Sequence, residues 1–162
     1  MLDEAQLDAV WRDMLGAETR ALYYADLAVR LTRKKQWIMG SILFLSSGAA
    51  VTAFAKQAPW LPSSLALAVA GLTAYSISAN LEGALATLQK LYASWARIQN
   101  DYERLWSHTY ADDAERELEK IRELERSASE MGTGTAYEPK LVEKWQDWVN
   151  RLHTPDGHNA AA

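Results

Sequence analysis

Thr73, Ser76 and Asn80 fall at i, i+3 and i+7, a spacing that sets three polar side chains on one face of a helix. They lie in a stretch without formal charge, where polar groups turn towards other helices or a water-filled path. Threonine and serine can also satisfy themselves by bonding a carbonyl one turn back, so a pore lining and simple packing both remain open. Gly48 with Thr52, Ala66 with Ala70, and Ala70 with Ala74 are small residues four apart. That spacing lets helix backbones approach closely in lipid, within one hairpin or between several. Gly48, Thr52, Thr73, Ser76 and Asn80 are therefore the candidates for span packing or for facing a pore.

Other reactive residue types do not combine into chemistry. The chain has 162 residues and no cysteine, which excludes disulfides, thiolate metal sites and cysteine nucleophiles. His108, His153 and His158 lack the i, i+4 pairing of helical metal sites. Ser46-Ser47-Gly48 and Ser63-Ser64 have no nucleophile-elbow context, and Gly132-Thr133-Gly134 fits no phosphate or dinucleotide fingerprint. The alternating Glu and Arg or Lys of residues 115–126 read as a solvated helix face. Trp95, Trp106, Trp145 and Trp148 could stack a base, but aromatics at helical spacing usually fill a core. No enzyme, cofactor or metal site is expected. A net charge of −4 argues against nucleic acid as a partner.

The elements that must carry these residues are helical. Residues 36–55 hold no Asp, Glu, Lys or Arg, and after Lys56 residues 57–81 are again free of charge. Each window approaches the ~20 residues that cross a hydrocarbon core. Pro59 and Pro62 break helix between them. The pattern predicts transmembrane helices over 37–55 and 61–79 joined by a short external turn, 56–62. Two helices buried in a soluble bundle are the alternative, and they would have to be covered on every face. Trp37 and Trp60 are placed as interfacial anchors. Arg30, Arg33, Lys34 and Lys35 precede the first window and set both termini on the cytoplasmic side.

Flanking segments carry coiled-coil seams. Asp3 and Gln6 resemble a capping box opening a long helix towards residue 56, and residues 1–36 form its cytoplasmic part. Leu7, Val10, Met14, Ala17, Ala21, Tyr24, Ala28 and Leu31 alternate steps of three and four. In the return arm, 80–131, two seams overlap, one through Tyr92 and Trp106, the other through Leu91, Ile98 and Leu105. Near 107–113 the phase shifts, and Asp112 with Glu115 suits a new helix start. Pro139 suits the first turn of a C-terminal helix over 138–153, followed by a mobile tail, 154–162. The expected fold is all-α: a two-span hairpin continuing into long antiparallel cytoplasmic coiled-coil helices, plus a short C-terminal helix.

Arg30-Leu-Thr-Arg-Lys-Lys35 before paired spans, then Leu91-Tyr-Ala-Ser-Trp95 and Tyr102-Glu-Arg-Leu-Trp106, give a layout over residues 15–125 that resembles the SLATT families. These are two-transmembrane effectors of bacterial conflict systems. The resemblance implies a homo-oligomer in the lipid bilayer of the bacterial inner membrane, permeabilising it when triggered. It further implies a cytoplasmic sensor protein or nucleotide second messenger as the source of the trigger. A passive membrane-anchored scaffold for a cytoplasmic partner is the competing expectation.

Overall fold

The computed structural model describes residues 2–47, 61–135 and 137–154. Its described secondary structure is helical throughout: α1 Glu4–Ser46, α2 Leu61–Ser78, α3 Leu81–Ser107, α4 Ala114–Gly132 and α5 Pro139–His153. The chain divides into two units. Unit 1 comprises Met1–Asp26 and Leu88–Ala162, and unit 2 comprises Leu27–Thr87. Both α1 and α3 contribute residues to each.

Unit 1 is a helical bundle whose core matches the seams in the sequence. The start of α1 is fixed by reciprocal bonds: Gln6 N–H donates to Asp3 Oδ1 at 2.7 Å, and Asp3 N–H donates to Gln6 Oε1 at 2.9 Å. Val10, Met14, Ala17 and Ala21 of α1 meet Trp95, Ile98, Tyr102 and Leu105 of α3 and Ala114, Leu118, Ile121 and Ala128 of α4. Of the two seams on α3, the one through Leu91, Ile98 and Leu105 faces inward, while Tyr92 and Trp106 stay exposed. Leu2 N–H donates to the Thr109 carbonyl, so the start of α1 lies beside the end of α3 and the two helices run antiparallel. Residues 108–113 form the turn into α4. Asp113, rather than Asp112, stands at the helix N-cap, and it makes no side-chain capping bond.

At the far end of α4, Gly132 lies so close to α1 that an added Cβ would stand 2.8 Å from the Tyr24 hydroxyl. The α5 helix closes the bundle with buried Leu141 and Val149. Glu138 N–H donates to the Tyr23 hydroxyl, Trp145 Nε1–H donates to Asp26, and His153 pairs with Glu18 at 2.8 Å. Thr154 ends α5, its hydroxyl donating to the Asn150 and Arg151 carbonyls. The rest of the predicted tail, 155–162, lies outside the described residues.

Unit 2 corrects the expected fold. Among the described residues no helix is long and apolar enough to cross a membrane. The two-span transmembrane hairpin over 37–55 and 61–79 is therefore overturned. The charge-free part of α1 that is described, Gln36 to Ser46, rises roughly 16 Å at 1.5 Å per residue. The 18 residues of α2 rise about 27 Å, against a hydrocarbon core of about 30 Å. Pro62, Ser63, Ser64, Gly71, Thr73, Tyr75, Ser76 and Ser78 dilute its apolar character further. Lack of charge over a window is weaker than net apolarity along a helix. At the end of α1 the Ser46 hydroxyl donates to the Ile42 carbonyl and Ser47 closes onto Phe44. Residues 48–60, which hold the end of the first predicted span and most of the external turn, lie outside the described residues.

Candidate functional site

In unit 2 two of the basic residues before the charge-free stretch, Lys34 and Lys35, are brought onto the return helices. Lys34 Nζ donates to the Tyr75 hydroxyl of α2 at 2.8 Å and lies 5.3 Å from that ring's centroid. Lys35 Nζ pairs with Glu82 Oε1 of α3 at 2.8 Å, which holds the Glu82 carboxyl below its ordinary value of 4.5. Arg33 lies one turn before Trp37 on α1, and both line a shallow depression that continues past Gly40 to Phe44. Arg30 is exposed. Arg30, Arg33, Lys34 and Lys35, the residues expected to set topology, form a basic collar on α1, from which Lys34 reaches α2 and Lys35 reaches α3.

Beyond the collar the apolar side chains point outward. Relative exposure is 79% at Trp37, 74% at Leu43, 68% at Phe44, 75% at Leu67 and 75% at Ile77. On α2 the side turned inward carries Val69, Leu72 and Ser76, all half-buried. Ala66, Ala70 and Ala74 lie exposed along one face.

The polar row is dispersed by local bonding. Ser76 sits on the inward side of α2. Thr73 is exposed, and its hydroxyl donates to the Val69 carbonyl at 2.8 Å, the back-bonding alternative. Asn80 is the hinge between α2 and α3. It adopts φ 42, a left-handed conformation that asparagine tolerates, and its Oδ1 accepts the Gly83 N–H at 3.3 Å, capping α3. Gly48, Thr52 and Trp60 lie outside the described residues.

Sequence reasoning missed Tyr75 and Glu82 as partners of the collar. A signal existed, because Lys35 is the last charge before the first charge-free window and Glu82 the first after the second. Any hairpin folding at the intervening prolines brings these two positions together.

A second polar cluster, also missed, lies in unit 1. The Arg20 guanidinium stacks 4.4 Å over the Trp95 ring and approaches Glu125 at 3.9 Å. Burial, with Asp13 adding to it, pushes the Glu125 carboxyl above its ordinary value. The Tyr102 hydroxyl is also raised by burial, and it faces Glu125 outside hydrogen-bond geometry. It and the Trp95 indole N–H are buried without a hydrogen-bond partner among the described residues. Seam periodicity marks Trp95 and Tyr102 as core and is blind to their polar atoms.

Among the described residues no group of three or more His, Asp or Glu gathers to hold a metal ion. Comparison of the chain with protein-family models, curated proteins and solved structures gives no match.

Proposed function

We propose that the protein is a non-catalytic effector that acts on the bacterial inner membrane from its cytoplasmic face, self-associating there and permeabilising the bilayer when triggered. Unit 2 engages lipid by seating its apolar side chains in the interface, without spanning helices. The observation that carries this reading is the outward apolar surface of Trp37, Leu43, Phe44, Leu67 and Ile77 beside the Arg30–Lys35 collar. Large apolar side chains left in water mark interaction surfaces, and a basic margin favours anionic headgroups. Support for self-association comes from the exposed Ala66, Ala70 and Ala74 face. The part of the SLATT resemblance that does not depend on spans, the Arg30–Lys35 run and the helical arm through Leu91–Trp95 and Tyr102–Trp106, points the same way, with a sensor protein or nucleotide second messenger supplying the trigger.

Vesicle flotation tests the reading. The purified chain should float with phosphatidylglycerol-containing vesicles and less with phosphatidylcholine alone, and Trp37→Glu with Phe44→Glu should abolish flotation. Release of an entrapped dye then reports permeabilisation. Absence of flotation with either vesicle would sink the membrane reading.

The scaffold reading has its own support in Tyr110, 73% exposed, and in half-exposed Trp106 and Trp148 on unit 1. It expects Tyr110→Ala to abolish partner capture while leaving flotation unchanged.

A further inference from the structure

Unit 1 contains a groove of about 410 Å³ between α1 and α5, whose lining combines arginines and side-chain amides with apolar Leu15 and Val142. Arg12, Gly16, Thr19 and Arg20 supply the α1 side, and Gln146 with Asn150 supply the α5 side. Among the described residues no acidic side chain lines it.

Three features set this groove apart from an ordinary seam between helices. Gly16 sits inside a 43-residue helix, where glycine is less favourable than alanine. Its backbone is not left-handed, and a Cβ added there meets nothing within 4 Å. The fold therefore gains nothing from the missing side chain. What glycine does is keep the groove floor open.

One of the two cations, Arg12, is also available. Arg20 lines the groove while its guanidinium stacks on Trp95 and pairs with Glu125 at 3.9 Å. Arg12 Nε–H donates to the Asp8 carbonyl, and its terminal nitrogens have no ion-pair partner among the described residues. Gln146 and Asn150, one turn apart on α5, add side-chain donors and acceptors. A guanidinium fixed by stacking loses little freedom when it bonds an oxyanion, and guanidinium geometry matches carboxylate and phosphate oxygens.

We propose that this groove binds a small organic oxyanion, a carboxylate or a phosphate ester, across α1 and α5. The acidic groups of the ligand meet Arg12 and Arg20, its body lies over Gly16, and Gln146 and Asn150 bond its polar edge. The site is independent of how unit 2 meets lipid.

Citrate and inorganic phosphate are the probes, each titrated into the full chain against chloride at matched ionic strength. Calorimetry and the thermal midpoint provide the readouts. Saturable heat and a raised midpoint with either probe are expected. A response to citrate alone identifies a carboxylate ligand, and a response to phosphate alone identifies a phosphate ester. Arg12→Gln should weaken binding at least tenfold. Gly16→Leu should abolish it by filling the floor, with helical content and the anion-free midpoint equal to or above those of the parent. No saturable response to either probe beyond chloride would overturn the proposal, as would undiminished binding in Gly16→Leu.

Discussion

The two units use apolar residues in opposite ways. In unit 1, Val10, Ala17, Leu91, Tyr102, Leu105 and Val149 are wholly buried. In unit 2, Leu81 is the one residue buried to a comparable degree among those described. The charge-poor part of the chain is thus the less buried part. Apolar content does not by itself make a core; a core needs a seam on each of at least two facing helices. Unit 1 has such seams on α1, α3 and α4, whereas α2 spreads its apolar residues around its circumference and leaves most of them open.

The widest gap between the units should appear on truncating one apolar residue in each. Trp95→Ala removes a side chain 1% exposed and should cost roughly 3–5 kcal/mol in denaturant unfolding. Leu67→Ala, at a position 75% exposed, should change stability by less than about 0.5 kcal/mol. Equal losses would mean that Leu67 is covered in solution and that the contrast between the units is false.

Packing at the end of α4 gives the next effect. Gly132→Ala drives a Cβ to 2.8 Å from the Tyr24 hydroxyl, with Leu91 at 3.8 Å behind it, and should cost about 1–3 kcal/mol. Tyr24→Phe removes the clashing oxygen and leaves the ring carbon at 3.8 Å. The double variant should therefore recover most of the loss, giving a coupling of about 1 kcal/mol in a double-mutant cycle. Alanine at Gly16, by contrast, enters open space and should stabilise α1 by up to about 1 kcal/mol.

At the unit 2 hinge, Asn80→Ala loses a capping bond and forces a Cβ-bearing residue without a compensating amide into the left-handed region. It should cost about 1 kcal/mol, whereas Asn80→Gly should cost only a few tenths. Amide exchange at Gly83 reports the difference.

What the sequence makes legible follows the same division. Helical class, the Asp3–Gln6 box and the residues of the unit 1 core are local or periodic properties, and periodicity alone reads them. The choice between the two α3 seams depends on how many helices pack against it, so both seams stay open until α1 and α4 are in place. Spanning is not legible from charge alone, because Gly71 and the serines of α2 carry no charge yet lower its apolarity, and the helix is only 18 residues long. The Arg20–Trp95–Glu125 cluster was invisible because it joins three helices through residues that each look ordinary in their own segment. Asn80 carries the signal of a polar residue in an apolar run, but a hinge and a pore lining share that signal until the backbone dihedral is known.

The smallest effects carry opposite signs in the two units. Glu125 in unit 1 has its carboxyl raised by burial, so the folded state binds more protons than the unfolded state as pH rises past the ordinary value of 4.5. Unit 1 therefore loses stability as pH climbs through that window, and Glu125→Gln should remove the slope and leave the bundle more stable at neutral pH. Glu82 in unit 2 has its carboxyl lowered by Lys35, so the unfolded state binds more protons below the ordinary value. Its contribution is present at neutral pH and lost on acidification, and full exposure of the carboxylate keeps it slight. Amide exchange followed from pH 4 to 8 should show α4 opening more readily at the alkaline end and the start of α3 at the acid end. Lys35→Gln should remove only the second trend. If both regions follow one slope, the two carboxylates share an environment, and the division between a buried bundle and an open apolar arm fails with them.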